Sequence, residues 1–249
     1  MLVNVDSLFR AAVLVAIGAL TALSVYIPRG MLMDGASFVL AGIRDHAFAL
    51  LPDGDGRFFA NYVAQSPLVS ALKLSVTDIG LLIRIHSLGI VGIPLLMWTV
   101  AIALQYRTNL FWLFVGAFSV SYGISGVAMI GEFNLAFAAT ALFTSIVTSV
   151  SALSAIQGGV LLILAILLTR SYETSVFLNP LLAIFCIERW RLQAEKRTVE
   201  FLLICSIAAL LFGAFVGLYW IIFPRVCKNW PRLQLCAAMG HSNLSNAIV

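Results

Sequence analysis

Residues 201–223 read FLLICSIAALLFGAFVGLYWIIF and contain no charged side chain. A membrane-spanning helix needs about 20 consecutive apolar residues, so this stretch is long enough to cross a bilayer. The rest of the chain has the same character, since 61% of its 249 residues are hydrophobic and only 10% are charged. Soluble domains are about 45–50% apolar and about 25% charged. The sequence therefore predicts a polytopic all-α membrane protein and argues against a soluble, disordered or nucleic-acid-binding one.

Seven apolar segments have the composition of membrane spans. We predict them at about residues 8–27, 88–104, 110–130, 133–150, 152–169, 174–187 and 201–223. The loop at residues 28–86 is too mixed to span, and its apolar side chains recur at helical spacing. This pattern is typical of short amphipathic helices lying on a membrane surface. The prediction divides the chain into a transmembrane domain, residues 1–225, and a polar C-terminal tail, residues 226–249.

Basic residues predict the orientation of the spans. The largest basic cluster lies in loop 188–199, between the sixth and seventh spans, and loops rich in Lys and Arg stay in the cytoplasm. Counting back along the spans puts the N-terminus, with Arg10, on the cytoplasmic side and loop 28–86 on the outside. Most of the acidic residues then gather on the non-cytoplasmic face.

Two short loops bring polar side chains to that face. They contain Glu132, Asn134, Arg170, Tyr172 and Glu173. Polar groups at a membrane boundary are costly unless they pair or have a function. An arginine can hold a phosphate through two parallel hydrogen bonds, and a carboxylate near it can bind a sugar. The structural alternative, for each residue alone, is an ion pair that pins neighbouring hairpins together.

The first outer loop supplies candidate general bases, because a carboxylate there could take a proton from an acceptor hydroxyl. Its aspartates are Asp34, Asp45, Asp53, Asp55 and Asp78. Asp53 and Asp55 flank a glycine, for which ordinary turn usage is the alternative. No cofactor or metal motif is present. His46 beside Asp45 is one conceivable pair for a divalent metal, but the sequence does not indicate a metal site.

One span, a long acidic outer loop with surface helices, and six further spans resemble the N-terminal module of GT-C glycosyltransferases. The segment Gly54-Asp-Gly-Arg-Phe-Phe-Ala-Asn-Tyr62 is similar to a Gly-Arg-aromatic segment in the first loop of bacterial O-antigen glucosyltransferases of that superfamily. The resemblance implies a bacterial inner-membrane enzyme that moves a sugar from a polyprenyl-phosphate donor on the outer face. Membrane lipid and this donor are the implied partners.

The resemblance also implies roles for individual residues. Asp34 is the first choice for the base, followed by Asp53 and Asp55, and Arg57 or Arg170 would bind the phosphate. The remaining residues implied to line the substrate site are Asn61, Glu132, Asn134, Tyr172 and Glu173. The chain lacks the Asp-Asp or Asp-Glu pair that the family has after its first span. It also has fewer spans than the family usually carries, so a truncated, divergent or inactive member is expected.

Two other functions stay open from the sequence. A non-catalytic membrane scaffold or complex subunit fits the size and the predicted sidedness equally. A transporter or flippase component would need ionisable residues in the middle of spans, and the charges of this chain stop near the span boundaries.

Overall fold

The computed structural model describes residues 5–27, 34–45, 47–48, 58–125, 132–149, 152–171, 174–192 and 197–222. Within these ranges the chain forms helices and turns, without a strand. The helices are α1 (Val5–Tyr26), α2 (Asp34–Asp45), α3 (Phe58–Lys73), α4 (Ile79–Ser87), a π-helical turn (Leu88–Gly92), α5 (Ile93–Leu104), α6 (Phe111–Ser125), α7 (Glu132–Ser149), α8 (Ala155–Thr169), α9 (Ser175–Leu192) and α10 (Arg197–Ile222).

Three helical stretches are long and apolar enough to cross a membrane: Val5–Tyr26, Ile79–Leu104 and Arg197–Tyr219. In α1 only 11% of the apolar window is buried, which fits a helix surrounded by lipid. The helices α6, α7 and α8 contain shorter apolar stretches. The structure therefore supports an all-helical membrane protein with three candidate spans, whereas the predicted number of about seven is not established by helix length.

The second candidate span begins at Ile79, earlier than the predicted start at Leu88. Asp78 caps this helix by accepting a hydrogen bond from a backbone N–H of its first turn. The helix then passes through the π-helical turn, in which the Ile93 N–H bonds to the Leu88 carbonyl. Pro94 explains this turn, because a proline lacks the N–H of a regular helix and collides with the carbonyl four residues before it. The wider turn lets α4 continue into α5 without a break.

The helices α3 and α4 form an antiparallel hairpin at the start of this long helix. Ser75, in the connecting turn, has a φ of 61°, which reverses the chain. Buried apolar residues of α2, α3 and α4 share one small core, formed by Val39, Leu68, Ala71, Leu72 and Leu82. The first loop thus contains two short helices, α2 and α3, and α3 packs into the buried core of the bundle. However, α4 belongs to the long helix and is not a separate surface helix.

Hydrogen bonds tie together one end of the helical bundle, which we call the Arg10 end. The Arg10 guanidinium donates to the carbonyls of Tyr106, at 2.7 Å, and Thr108, at 2.9 Å. These contacts bring the start of α1 against the end of α5. The ends of α7 and α9 also meet, since the Arg189 Nε donates to the Val147 carbonyl at 2.5 Å. The Gln105 Nε2, just after α5, donates to the Thr148 Oγ1 near the end of α7 at 2.9 Å, so Arg10 lies at the end of the bundle where α5, α7 and α9 finish.

Close glycine packing joins the helices at the opposite end, which we call the Arg170 end. A Cβ on Gly213 of α10 would lie 2.6 Å from the Thr169 Cα and 2.6 Å from the Asn179 Nδ2. One turn further along α10, a Cβ on Gly217 would lie 2.6 Å from a side-chain carbon of Val176. The end of α8, the start of α9 and the second half of α10 therefore lie together, so consecutive helices of this part of the bundle alternate in direction.

Candidate functional site

The helix α3 from the first loop docks at the Arg170 end. The Phe59 N–H donates to the Arg170 carbonyl at 3.2 Å, which joins the first turn of α3 to the end of α8. Ala60 belongs to the same buried core as Leu135 and Ala136 of α7. The first turn of α3 therefore lies at the end of α8, and α3 also packs against α7. We call this region the α3–α7–α8 junction.

Two buried asparagines lie in the helices of this junction. Asn61 of α3 is 1% exposed, and neither atom of its amide has a hydrogen-bond partner among the described residues. Asn134 of α7 is 4% exposed, and its Nδ2 also lacks a described partner. A buried polar group without a partner costs about 1–3 kcal/mol, so such groups usually have a structural partner or bind something. The junction therefore contains unused hydrogen-bonding capacity.

Three further buried polar groups at the Arg170 end share this property within the described part of the chain. The atoms without a hydrogen-bond partner are both ring nitrogens of His86, the Oδ1 of Asn179 and the Oγ1 of Thr174. His86 is fully buried two residues before the π-helical turn. Asn179 satisfies only its amide nitrogen, which donates to the Leu168 carbonyl at 3.3 Å.

A close approach holds α3 against the long helix beside His86. A Cβ on Gly89, in the π-helical turn, would lie 1.9 Å from the Ala64 carbonyl oxygen. Only glycine permits the two backbones to come this near, because it has no Cβ. This contact fixes the position of Asn61, which precedes Ala64 by one helical turn.

The structure brings together part of the predicted site. Arg170 ends α8, Asn134 lies in the first turn of α7, and Asn61 lies in the first turn of α3, which docks against both helices. Arg170 is half-buried and takes part in further interactions within the described structure. Of the predicted residues, these three are the ones whose side chains the structure describes.

The other predicted site residues lie wholly or in part outside the described structure. Asp34 begins α2 and Glu132 begins α7, but their side chains lie outside the described part of the structure. Five more lie outside the described residues altogether: Asp53, Asp55, Arg57, Tyr172 and Glu173. The choice among Asp34, Asp53 and Asp55 as the general base therefore stays a prediction.

Sequence reasoning did not select His86, Asn179 or Thr174 as site residues. A signal for two of them was present, because His86 and Asn179 are polar residues within apolar helical segments. Such residues usually face a protein interior and have a specific partner. What the sequence did not show is that both would be buried without a full set of partners.

Two of the loop aspartates described by the structure have structural roles. The Asp45 carboxylate accepts two hydrogen bonds from the neighbouring Arg44 guanidinium, which lowers the pKa of this exposed carboxyl. Asp78 caps α4. Among the described residues, no group of three His, Cys, Asp or Glu side chains is arranged to hold a metal ion.

No family model, no curated protein and no solved structure matches this chain.

Proposed function

We propose that this chain is a multi-pass membrane protein of about seven spans that binds a polyprenyl-phosphate-linked sugar at the α3–α7–α8 junction and transfers the sugar to an acceptor. The Arg170 end would face the non-cytoplasmic side, and the Arg10 end would face the cytoplasm. This orientation agrees with the basic segment at residues 188–199, which includes the end of α9 and the start of α10.

The alternating helix directions support the proposed number of spans. The Ser145 Oγ donates to the Ala101 carbonyl at 2.7 Å, and about one turn further along the Gln105 Nε2 donates to the Thr148 Oγ1 at 2.9 Å. The two contacts advance together along the chain, so α5 and α7 lie side by side and parallel. If α5, α6 and α7 each cross the membrane, α5 and α7 must run in the same direction, because α6 returns the chain between them. The shorter helices α7 and α8 would then cross with the help of the flanking residues at their ends.

The observation that carries the proposal is the docking of α3 at the Arg170 end. The Phe59–Arg170 backbone hydrogen bond joins the first loop to the end of the bundle. Asn61 and Asn134 then bring unused amide groups to one junction. A phosphate or sugar hydroxyl accepts and donates hydrogen bonds of the kind that these amides lack.

In this proposal the three described residues bind the donor and do not perform the chemistry. The Arg170 guanidinium would hold the phosphate, and the two asparagines would orient the sugar or the phosphate oxygens. An aspartate of the first loop would take the proton from the acceptor hydroxyl as it attacks the anomeric carbon, and the polyprenyl phosphate would leave. Asp34 is the first choice for this base, since α2 packs beside α3 and α4.

The proposal is tested in two steps with the full chain. In lipid nanodiscs, the purified protein should retain radiolabelled polyprenyl-phosphate-glucose. Asn61→Leu and Asn134→Leu should each weaken this retention by about tenfold or more, because a hydrogen bond to a charged group contributes about 1.5–3 kcal/mol. Retention equal to that of the wild type in both variants would remove the proposed binding site.

The second step measures the chemistry. In membranes that contain the full chain and native acceptors, release of polyprenyl phosphate should fall by about 100-fold or more in the variant that lacks the base. Asp34→Asn and Asp55→Asn are compared, since the amide keeps the shape of the side chain and removes its basicity. The variant that lacks the base should release less polyprenyl phosphate but retain as much donor as the wild type. Full release in both variants would exclude both residues as the base.

A second candidate function is a non-catalytic scaffold. The burial of both asparagines favours it, because side chains that are 1% and 4% exposed have little access to a substrate. This candidate predicts no donor retention in nanodiscs by the wild-type protein, whereas the transferase requires it.

A further inference from the structure

The turn between α3 and α4 carries exposed apolar side chains, and we call residues 73–81 the hairpin tip. Leu74 is 79% exposed, Ile79 is 64% exposed and Leu81 is 46% exposed. The small core shared by α2, α3 and α4 does not include these three side chains. Apolar residues clustered at the tip of a hairpin mark a surface that another apolar medium covers.

The end of α1 indicates where the bilayer lies relative to the tip. α1 has 22 residues and is therefore about 33 Å long, close to the thickness of about 30 Å of a hydrocarbon core. Its last residue, Tyr26, then lies at the boundary of the core, where exposed tyrosines are common. The Arg84 guanidinium is 5.2 Å from the centre of the Tyr26 ring, so this part of α4 lies at the same level.

The hairpin tip lies only slightly further out. Ile79 precedes Arg84 by five residues in one continuous helix, which corresponds to about 7.5 Å along the helix axis. The headgroup layer on each side of a bilayer is about 5–8 Å thick. The three exposed apolar side chains are therefore within reach of the headgroup layer and would not project far into water.

The charges around the tip favour a lipid surface. Lys73 and Arg84 are exposed beside the apolar side chains. The one acidic residue of the tip, Asp78, uses its carboxylate to accept the Leu81 N–H at 2.9 Å. Exposed apolar groups flanked by basic residues are characteristic of segments that lie in the membrane interface and are attracted to anionic lipids.

We infer that the hairpin tip inserts Leu74, Ile79 and Leu81 into the headgroup layer of the bilayer that α1 and the Ile79–Leu104 helix cross. The tip anchors the α3–α4 hairpin from its outer end, while the Gly89–Ala64 contact holds its inner end. This interaction depends on the membrane assignment and not on the proposed glycosyl transfer. It also differs from helices lying flat on the surface, because α4 continues directly into the spanning helix.

The inference is tested by nitroxide labels in the full chain after alanine replacement of its four native cysteines. Leu74→Cys and Ile79→Cys carry the label at the tip, and Val15→Cys, at the middle of α1 and 72% exposed, is the lipid-facing reference. The proteins are placed in nanodiscs of phosphatidylcholine alone or with phosphatidylglycerol. Collision with oxygen reports lipid, and collision with a water-soluble nickel chelate reports water. A labelled water-soluble peptide is the aqueous reference.

If the tip inserts, its labels should collide more with oxygen and less with the chelate than the label on the soluble peptide. The label at Val15→Cys should show a still larger difference of the same kind. Phosphatidylglycerol should increase this protection, because Lys73 and Arg84 attract anionic lipid. Chelate collision as frequent as in the soluble peptide would overturn the inference. Protection from both reagents would also overturn it, since it would show that the tip is covered by protein, such as a second copy of the chain. Thermal midpoints equal to that of the unlabelled protein verify that the variants are folded.

Discussion

Buried polar side chains are hydrogen-bonded at one end of the helical bundle and lack partners at the other, within the described residues. At the Arg10 end, the fully buried Gln105 donates from its Nε2 to the Ser145 carbonyl, the Ser145 Oγ and the Thr148 Oγ1, at 2.9–3.1 Å. Its Oε1 accepts the Thr108 hydroxyl at 2.6 Å. At the Arg170 end, Asn61 makes no such bond within the described structure, and Asn134 leaves its Nδ2 without one. The same kind of side chain is thus internally satisfied at one end and not at the other.

This difference separates a structural network from a candidate binding site. A satisfied buried network holds helices in register, and removing one member leaves others unpartnered. A buried amide without a partner does not stabilise the fold, so its presence needs another reason, such as a bound molecule or an ordered water. The comparison therefore predicts opposite signs for the same type of substitution at the two ends.

The largest effect is expected where the first loop joins the bundle. In Gly89→Ala, the new Cβ would lie 1.9 Å from the Ala64 carbonyl oxygen, so α3 must move away from the long helix. We expect a loss of about 3 kcal/mol of stability or more, measured as a lower thermal midpoint of the purified protein. Donor retention should fall as well, because the position of Asn61 depends on this contact.

Gly159→Ala is the matched control for this substitution. It adds the same methyl group within α8, where the added Cβ has no atom of another described element within 4 Å. Because alanine favours the helix over glycine, the thermal midpoint should stay the same or rise. A Gly89→Ala protein as stable as this control would show that α3 is not packed tightly against the π-helical turn.

An intermediate effect is expected at the Arg10 end. Gln105→Leu removes the three donor contacts to α7 and the acceptor of the Thr108 hydroxyl. We expect a loss of about 1–3 kcal/mol, seen as a lower thermal midpoint, because polar partners are left buried. Donor retention at the folded temperature should be unchanged, since Gln105 lies at the opposite end of the bundle. If Gln105→Leu lost donor retention but kept its stability, Gln105 would belong to the binding site, and the two ends would not have separate roles.

Local sequence patterns were sufficient to predict several of the helices. The first predicted span, residues 8–27, corresponds to α1, and the last, residues 201–223, corresponds to most of α10. Both are long, uniformly apolar runs. The start of the second span was predicted too late because the loop that contains Arg84 and His86 looked too mixed to span a membrane. Tertiary contacts allow both residues in this helix. Arg84 stacks on Tyr26 of α1, and His86 is buried within the described fold.

The contacts at the candidate site could not be predicted from local sequence patterns. Loop sidedness predicts that Asn61, Asn134 and Arg170 lie on one face of the membrane, but it does not predict which of them meet. The hydrogen bond between Phe59 and Arg170 joins residues far apart in the chain and leaves no local signal. The same holds for the Gly89–Ala64 contact, because a glycine in an apolar helix is equally compatible with other packing roles.

The smallest change in stability, and the most informative sign, is expected for apolar replacements at the Arg170 end. In Asn61→Leu and His86→Leu, a buried polar side chain without a described partner becomes apolar, so no internal hydrogen bond is lost. Stability should stay the same or rise by up to about 1 kcal/mol, in contrast to Gln105→Leu. A drop of about 2 kcal/mol in the purified, donor-free protein would show that the amide or the ring has a structural partner. Buried polar groups would then have structural partners at both ends of the bundle. An unchanged midpoint combined with weaker donor retention in Asn61→Leu would instead assign the unused amide to ligand binding.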